Sequence, residues 1–249
     1  GAPMRLPRRA KTSAPMMDGR KTLKTRRRKM PSDPRPKRMP AAVAPDRHGR
    51  ENKKASLMRI VSGDHRGRSI ATPDGRKTRP TSDQTRESIF NILDHADWVS
   101  PLSGAVVMDV FAGSGALGLE AISRGAEFCV FVEQHPLALA AIRKNIEHFE
   151  LGDEARIHRF DATKLKLAPG NRPKPFTHVF MDPPYNRKLW SPVLRRLPQY
   201  LADDGIVILE ESAEAEIDPR GWDVMSDKIW GATRTLFLKQ SVELKQTKV

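Results

Sequence analysis

Within this 249-residue chain, Asp182-Pro183-Pro184-Tyr185 holds the residues best suited to chemistry. The apolar run Val179 to Met181 before it reads as a buried strand. Proline lacks an N–H and fixes φ, so the strand cannot continue past Asp182. The result is a stiff turn at a strand's carboxyl end, carrying a carboxylate, bare carbonyls and an aromatic ring. In open α/β sheets, ligands sit in the crevice outside such strand ends. A planar base suits this turn: the ring stacks on its face, and the carboxylate and a proline carbonyl accept from an exocyclic NH2. Asp-Pro alone is an ordinary turn dipeptide. The full tetrapeptide after an apolar strand is far more specific.

A second constellation precedes it. Gly113-Ser114-Gly115-Ala116-Leu117-Gly118 follows the apolar run Ala105 to Val110 and fits G-x-G-x-x-G, with Glu133 suitably far along. Taken alone this is a dinucleotide fingerprint, so an NAD-dependent dehydrogenase is a rival reading. Asp109, just before the loop, would crowd a pyrophosphate but suits a cationic ligand. Four strands end in an acid: Asp109 (one residue early), Glu133, Asp161 and Asp182. One such carboxylate is a helix cap worth about 1 kcal/mol. Four along one edge repel each other unless each meets a donor. A ligand rich in hydroxyls, amines and positive charge supplies those donors.

The elements that must position these residues alternate strand and helix. Strands are expected at 105–110, 128–132, 155–160, 176–181 and 205–210. Helices are expected at 116–124, ended by Gly125, at 136–149 with Pro136 in the first turn, and at 189–201. Segments 222–229 and 233–238 read as a terminal antiparallel pair. The fold class is therefore α/β: a Rossmann-like, mostly parallel sheet covered on both faces. Upstream, 57–62 and 68–71 read as a hairpin around a Gly-flanked basic loop. Thr81 and Gln84 form a capping-box pattern that opens a helix through Ile89, Phe90 and Leu93. Arg66, Arg68, Arg79, Thr81 and Arg86 make this region a candidate RNA surface; the bland alternative is a solvated face.

Net charge is +14, unevenly placed: residues 1–56 hold 18 of the 44 basic and 4 of the 30 acidic residues, which leaves 26 of each beyond. That segment also holds eight of the twenty prolines and little aliphatic periodicity, so it reads as a disordered tail. An electrostatic arm for RNA, an organelle-targeting extension, or a solvated or mis-started segment would each explain it. Cys129, the sole cysteine, lies in an apolar run, which excludes a disulfide framework and a Cys-rich metal site. His65 has no ligand-like neighbour, so no metal is expected. No apolar run reaches the roughly 20 residues of a membrane span. A cytoplasmic monomer without membrane contact is expected.

Asp109-Val110-Phe111-Ala112-Gly113-Ser114-Gly115 resembles the glycine-rich motif of class I S-adenosylmethionine-dependent methyltransferases. Asp182-Pro183-Pro184-Tyr185 resembles their amino-methylating motif, with Tyr185 in place of the commoner Phe. With Met58, Arg79-Pro80-Thr81 and Arg86-Glu87-Ser88-Ile89-Phe90-Asn91, residues 57–240 look like the bacterial family that methylates N2 of guanine 966 in 16S ribosomal RNA. The resemblance implies S-adenosylmethionine as cofactor and ribosomal RNA, or an assembling small subunit, as partner. It implies that Asp109, Phe111 and Ala112 to Gly115 border the methionine part. Glu133 would take the ribose hydroxyls, and Asp161 with Ala162 would meet adenine. Asp182, which also borders the cofactor, and the Pro183 carbonyl would receive the guanine amine, with Tyr185 stacked on the base. The organisation expected is a tail (1–56), a hairpin-and-helix extension that binds RNA and completes the site (57–103), a catalytic domain (104–240) and a short tail (241–249). The same tetrapeptide serves adenine-N6 methylation of DNA or RNA, and a non-catalytic RNA-binding factor could keep the fold.

Overall fold

The computed structural model describes residues 58–73, 83–168, 170 and 172–246. All lie within one compact unit, 52–249. Everything expected of 1–56, and of Arg79 and Thr81, lies outside the described residues.

Seven strands form one sheet: β1 (Val106–Val110), β2 (Phe128–Glu133), β3 (Ala155–Arg159), β4 (Phe176–Met181), β5 (Leu201–Ser212), β6 (Trp222–Trp230) and β7 (Thr233–Gln240). Their order is β3-β2-β1-β4-β5-β7-β6. The first five are parallel, and β7 runs antiparallel between β5 and β6. Chain order reverses between β1 and β4, so a crevice opens at their carboxyl ends.

Both faces are covered because the strands are apolar on both. Side chains alternate across a strand. Val106, Met108 and Val110 of β1 join Val130, Val132, Val179 and Met181 in one core. Val107, Cys129, Phe131 and Phe180 face the other. That second core takes the helices α1 (Asp83–His95), α2 (Ala116–Ser123) and α3 (Pro136–Phe149), through side chains such as Phe90, Leu119 and Ile142. Ile60 and Ile70 of the N-terminal hairpin join it too. Helix α2 sits close on the sheet because Gly118 has no side chain: a Cβ there would lie 2.5 Å from the Phe131 ring.

Three elements depart from expectation. The hairpin strands reduce to a single bridge, Arg59 with Ser69. The pairing around it is short but intact: Ile60 N–H donates to the Arg68 carbonyl at 3.0 Å and Ile70 N–H to the Met58 carbonyl at 2.8 Å, while the Val61 and Ser62 N–H groups donate to Glu120 Oε2 and Oε1 at 2.8 and 2.9 Å. Gly63 then turns the chain at φ +82 against Ser123, where a Cβ would stand 1.7 Å from the carbonyl oxygen. The helix expected over 189–201 is one short helix, α4 (Trp190–Leu194), followed by a 3-10 turn at Leu197–Gln199. Pro198 has no N–H to give the carbonyl four residues back, which ends the α-helix. The C-terminal segment carries a short helix, α5 (Val242–Gln246). Among the described residues no helix is long and apolar enough to cross a membrane.

Candidate active site

The end of β1 turns through three left-handed residues: Phe111 (φ +62), Gly113 (φ +58) and Gly115 (φ +81). A side chain at Gly113 would meet only the Phe111 carbonyl, 3.9 Å away, so the backbone there is open to a ligand. Buried Asp109 holds the turn from beneath: Gly118 N–H donates to its Oδ2 at 3.0 Å. Glu133, at the end of β2, holds it from the side. Its Oε2 accepts from Gly113 N–H (3.0 Å), and its Oε1 accepts from Gln134 and His135 N–H (2.8 and 2.7 Å). Buried Asn145 of α3 holds it from above, donating to the Ser114 and Ala71 carbonyls at 2.9 and 3.0 Å and accepting Ala71 N–H at 2.7 Å.

Past β3, Asp161 caps the 3-10 turn 162–164, accepting Thr163 N–H and hydroxyl at 3.0 and 2.7 Å. The Thr163 hydroxyl bond holds its carboxyl below the usual range. Past β4, Asp182 is half-buried, and its N–H donates to Val110 C=O at 3.4 Å, so the acidic corner continues the β1–β4 pairing. Pro183 is buried and Pro184 exposed. The half-buried Tyr185 reaches Thr233 of β7, hydroxyl to hydroxyl, at 3.1 Å.

These groups share one cavity of about 1400 Å³. Asp109, Phe111, Ala112, Gly113, Ser114, Glu133, Asp161, Ala162, Asp182, Pro183 and Tyr185 all line it. Gly115 does not; it faces inward, where a Cβ would lie 3.0 Å from Phe131. Burial pushes the Asp109 carboxyl well up; the Gly118 N–H opposes this, and the negative charges of Asp182 and Glu133 add to it. A buried acid with two further negative charges near it is suited to a cation. Burial, with Asp182 next, raises the Tyr185 phenol, so it keeps its proton. Among the described residues no group of three or more His, Cys, Asp or Glu could hold a metal.

The basic residues divide differently. Arg86, expected on phosphate or in solvent, is 0 % exposed. It lies 3.5 Å from Glu120 Oε2, bonds Asp83 at 2.8 Å, and donates to the Arg59 carbonyl. It therefore ties α1 to α2 and the hairpin at the wall of the cavity that the glycine turn and Asp182 share. Arg68 is likewise engaged: it donates to the His148 carbonyl, meets His65 Nδ1 at 2.9 Å and lies over the Phe149 ring. Its expected place is an RNA surface or a solvated face; its observed one is the end of α3. Arg66 is exposed in the hairpin turn, away from the cavity lining.

Sequence reasoning passed over four supports. Glu120 and Asn145 are polar positions within otherwise apolar helix faces, a legible sign of buried polar pins. Glu211, 1 % exposed, accepts Asn186 and Ser212 N–H at 2.9 and 2.8 Å, and Thr233 meets Tyr185; both depend on strands distant in sequence.

Known proteins resemble this chain in sequence and in fold. The model of the family described as Conserved hypothetical protein 95 matches residues 58–239. Ribosomal RNA small subunit methyltransferase D of Escherichia coli (strain K12) is 34 % identical over 179 residues, 70 % of this chain and 85 % of its own. The YlbH protein of Bacillus subtilis (strain 168) is 37 % identical over 162 residues, 64 % of this chain and 85 % of its own. The solved structure of the Escherichia coli protein yhhF superposes with a TM-score of 0.63 at 31 % identity, covering 74 % of this chain and 98 % of that one.

Proposed function

The chain belongs to the Conserved hypothetical protein 95 family, and on that footing we propose that it transfers a methyl group from S-adenosylmethionine to the exocyclic N2 of a guanine in small-subunit ribosomal RNA, guanine 966 in the family's numbering of 16S RNA. The observation that carries the reading is a juxtaposition. The glycine turn after β1 and the Asp182 corner after β4 face one cavity across the point where chain order reverses.

The cavity suits the cofactor on its own terms. Gly113 leaves room for close approach, Glu133 presents a fixed carboxylate to vicinal hydroxyls, and Asp161 with Ala162 sits where a base edge would meet the end of β3. The charges of Asp182 and Glu133, which add to the rise that burial gives the Asp109 carboxyl, make a negative environment for a sulfonium and an ammonium. When bound, the cofactor supplies an electrophilic methyl group on a sulfonium.

The chain's own part is orientation. An exocyclic amine is a poor nucleophile because its lone pair is delocalised into the ring. Asp182 and the Pro183 carbonyl accept its two hydrogens, which favours a tetrahedral nitrogen and turns the lone pair toward the methyl. The Asp182 carboxylate opposes the positive charge that develops on nitrogen, and the amine proton to be shed is already hydrogen-bonded to it. Tyr185 fixes the base plane. Neither a metal nor a covalent enzyme intermediate enters these steps. A guanine in an RNA loop is reached at less unstacking cost than a paired one. A bacterial small subunit as substrate would set the reaction in the cytoplasm.

The test is labelled methyl transfer to small-subunit ribosomal RNA, naked and assembled, from cells lacking the enzyme, followed by nucleoside analysis. N2-methylguanosine is expected. Methyladenosine as sole product would move the reading to an adenine-N6 enzyme. Binding of NAD without S-adenosylhomocysteine would move it to a dehydrogenase.

A further inference from the structure

The loop after the two prolines is rigid where it leaves β4 and strained where it continues. Asn186 and Lys188 stand at φ +61 and +51, the left-handed region that non-glycine residues rarely adopt. Two bonds hold this loop. Buried Glu211 takes the Asn186 N–H at 2.9 Å, and Thr233 Oγ1 meets the Tyr185 hydroxyl at 3.1 Å. Thr233 opens β7 directly after the β6–β7 turn, paired with Ser212 on one side and Trp230 on the other. Ile229 and Trp230 line the same cavity as Tyr185, and Ile229 is 60 % exposed there.

We infer that Thr233 is a positioning residue for the nucleobase: its hydroxyl fixes the tilt of the Tyr185 ring and makes the β6–β7 turn part of the substrate site. The inference rests on the base-gripping reading of Asp182 to Tyr185 given above. Its physical basis is leverage. The phenol oxygen is the side-chain atom farthest from the backbone, so a bond there removes more rocking than any contact nearer Cβ. A base stacked on the ring inherits its tilt, and the amine must meet both Asp182 and Pro183 at once. Small errors in such alignment cost rate more than affinity. A phenylalanine at 185 would still stack, but nothing would set its angle.

The experiment compares the full-length chain with Thr233→Val, Thr233→Ser, Tyr185→Phe and the double variant Tyr185→Phe/Thr233→Val. Readouts are kcat and KM on small-subunit ribosomal RNA, S-adenosylhomocysteine affinity and melting temperature. Loss of one neutral hydrogen bond sets the scale, about three- to tenfold in kcat. Thr233→Val and Tyr185→Phe should each fall by that factor, with RNA KM and S-adenosylhomocysteine affinity within about twofold of the parent chain, a window well inside the kcat effect. The double variant should be no slower than either single, and Thr233→Ser should restore the rate. A parent chain that turns over while Thr233→Val matches it would overturn the inference alone. So would multiplicative losses in the double variant, or no rescue by serine. A parent chain that methylates no RNA would bring down the base-gripping reading and this inference with it.

Discussion

Replacing Asp182 with asparagine separates chemistry from architecture. The side chain keeps its shape and one acceptor oxygen, but it loses its charge and points an N–H at an amine that needs an acceptor. Removing one preorganised group that faces developing charge costs about 10²- to 10³-fold in rate, or about 2.7–4 kcal/mol. Asp182→Asn is therefore expected to lower kcat by that factor. The fold should not suffer. Burial raises the Asp109 carboxyl, and Asp182 adds to that rise, so asparagine removes a repulsive neighbour. Melting temperature should be unchanged or slightly higher, and S-adenosylhomocysteine, which has no sulfonium, should still bind. Single-turnover transfer to ribosomal RNA, calorimetric titration and thermal unfolding measure the three quantities. A rate within about threefold of the parent chain, against the expected 10²-fold or more, would refute the assignment of Asp182 to the reacting amine.

Three further outcomes follow from named contacts. Glu133→Ala should weaken S-adenosylhomocysteine binding by at least about tenfold, since hydrogen bonds to a charged group contribute about 1.5–3 kcal/mol each and the Gly113 N–H loses its acceptor; titration calorimetry reads it. Glu120→Ala strips a fully buried carboxylate from Arg86 and from the Val61 and Ser62 N–H groups, and breaking a buried pair costs about 3–5 kcal/mol in denaturant unfolding. Buried His178 titrates at about 4, lowered by burial from 6.5. Between those values the unfolded chain binds more protons, so its contribution to stability is full above 6.5 and is lost as pH falls toward 4. The loss is about 2 kcal/mol from pH 7 to pH 5, and urea unfolding of His178→Gln should show a flatter dependence over that window.

The sheet was legible because its signals are local. Apolar runs with an acid at or near their ends mark β1, β2 and β4, the acid Asp161 marks the end of the more polar β3, and Pro136 and Gly125 punctuate the helices where the structure does. The acid-ended strands also foretold the cavity, since parallel strands bring their carboxyl ends to one edge. What escaped is long-range. Arg86 reads as a surface cation because nothing near it in sequence says that Glu120, 34 positions on, lies beside it in the core. Arg68 reads the same way until α3 delivers His148 and Phe149 to it. The hairpin is there, but shorter than its apolar pattern suggests, and the contact of Val61 and Ser62 with Glu120 of α2 is long-range. The helix after α4 failed at Pro198, which was visible in the sequence.

The most direct measurement is a crystal structure of this chain with S-adenosylhomocysteine and a guanosine nucleotide. The sulfur is expected between the glycine turn at Gly113 and the Asp182 corner, with the guanine amine against the Asp182 carboxylate and the Pro183 carbonyl, and its ring on Tyr185. A homocysteine moiety bound elsewhere, or a guanine whose amine faces away from Asp182, would contradict the account.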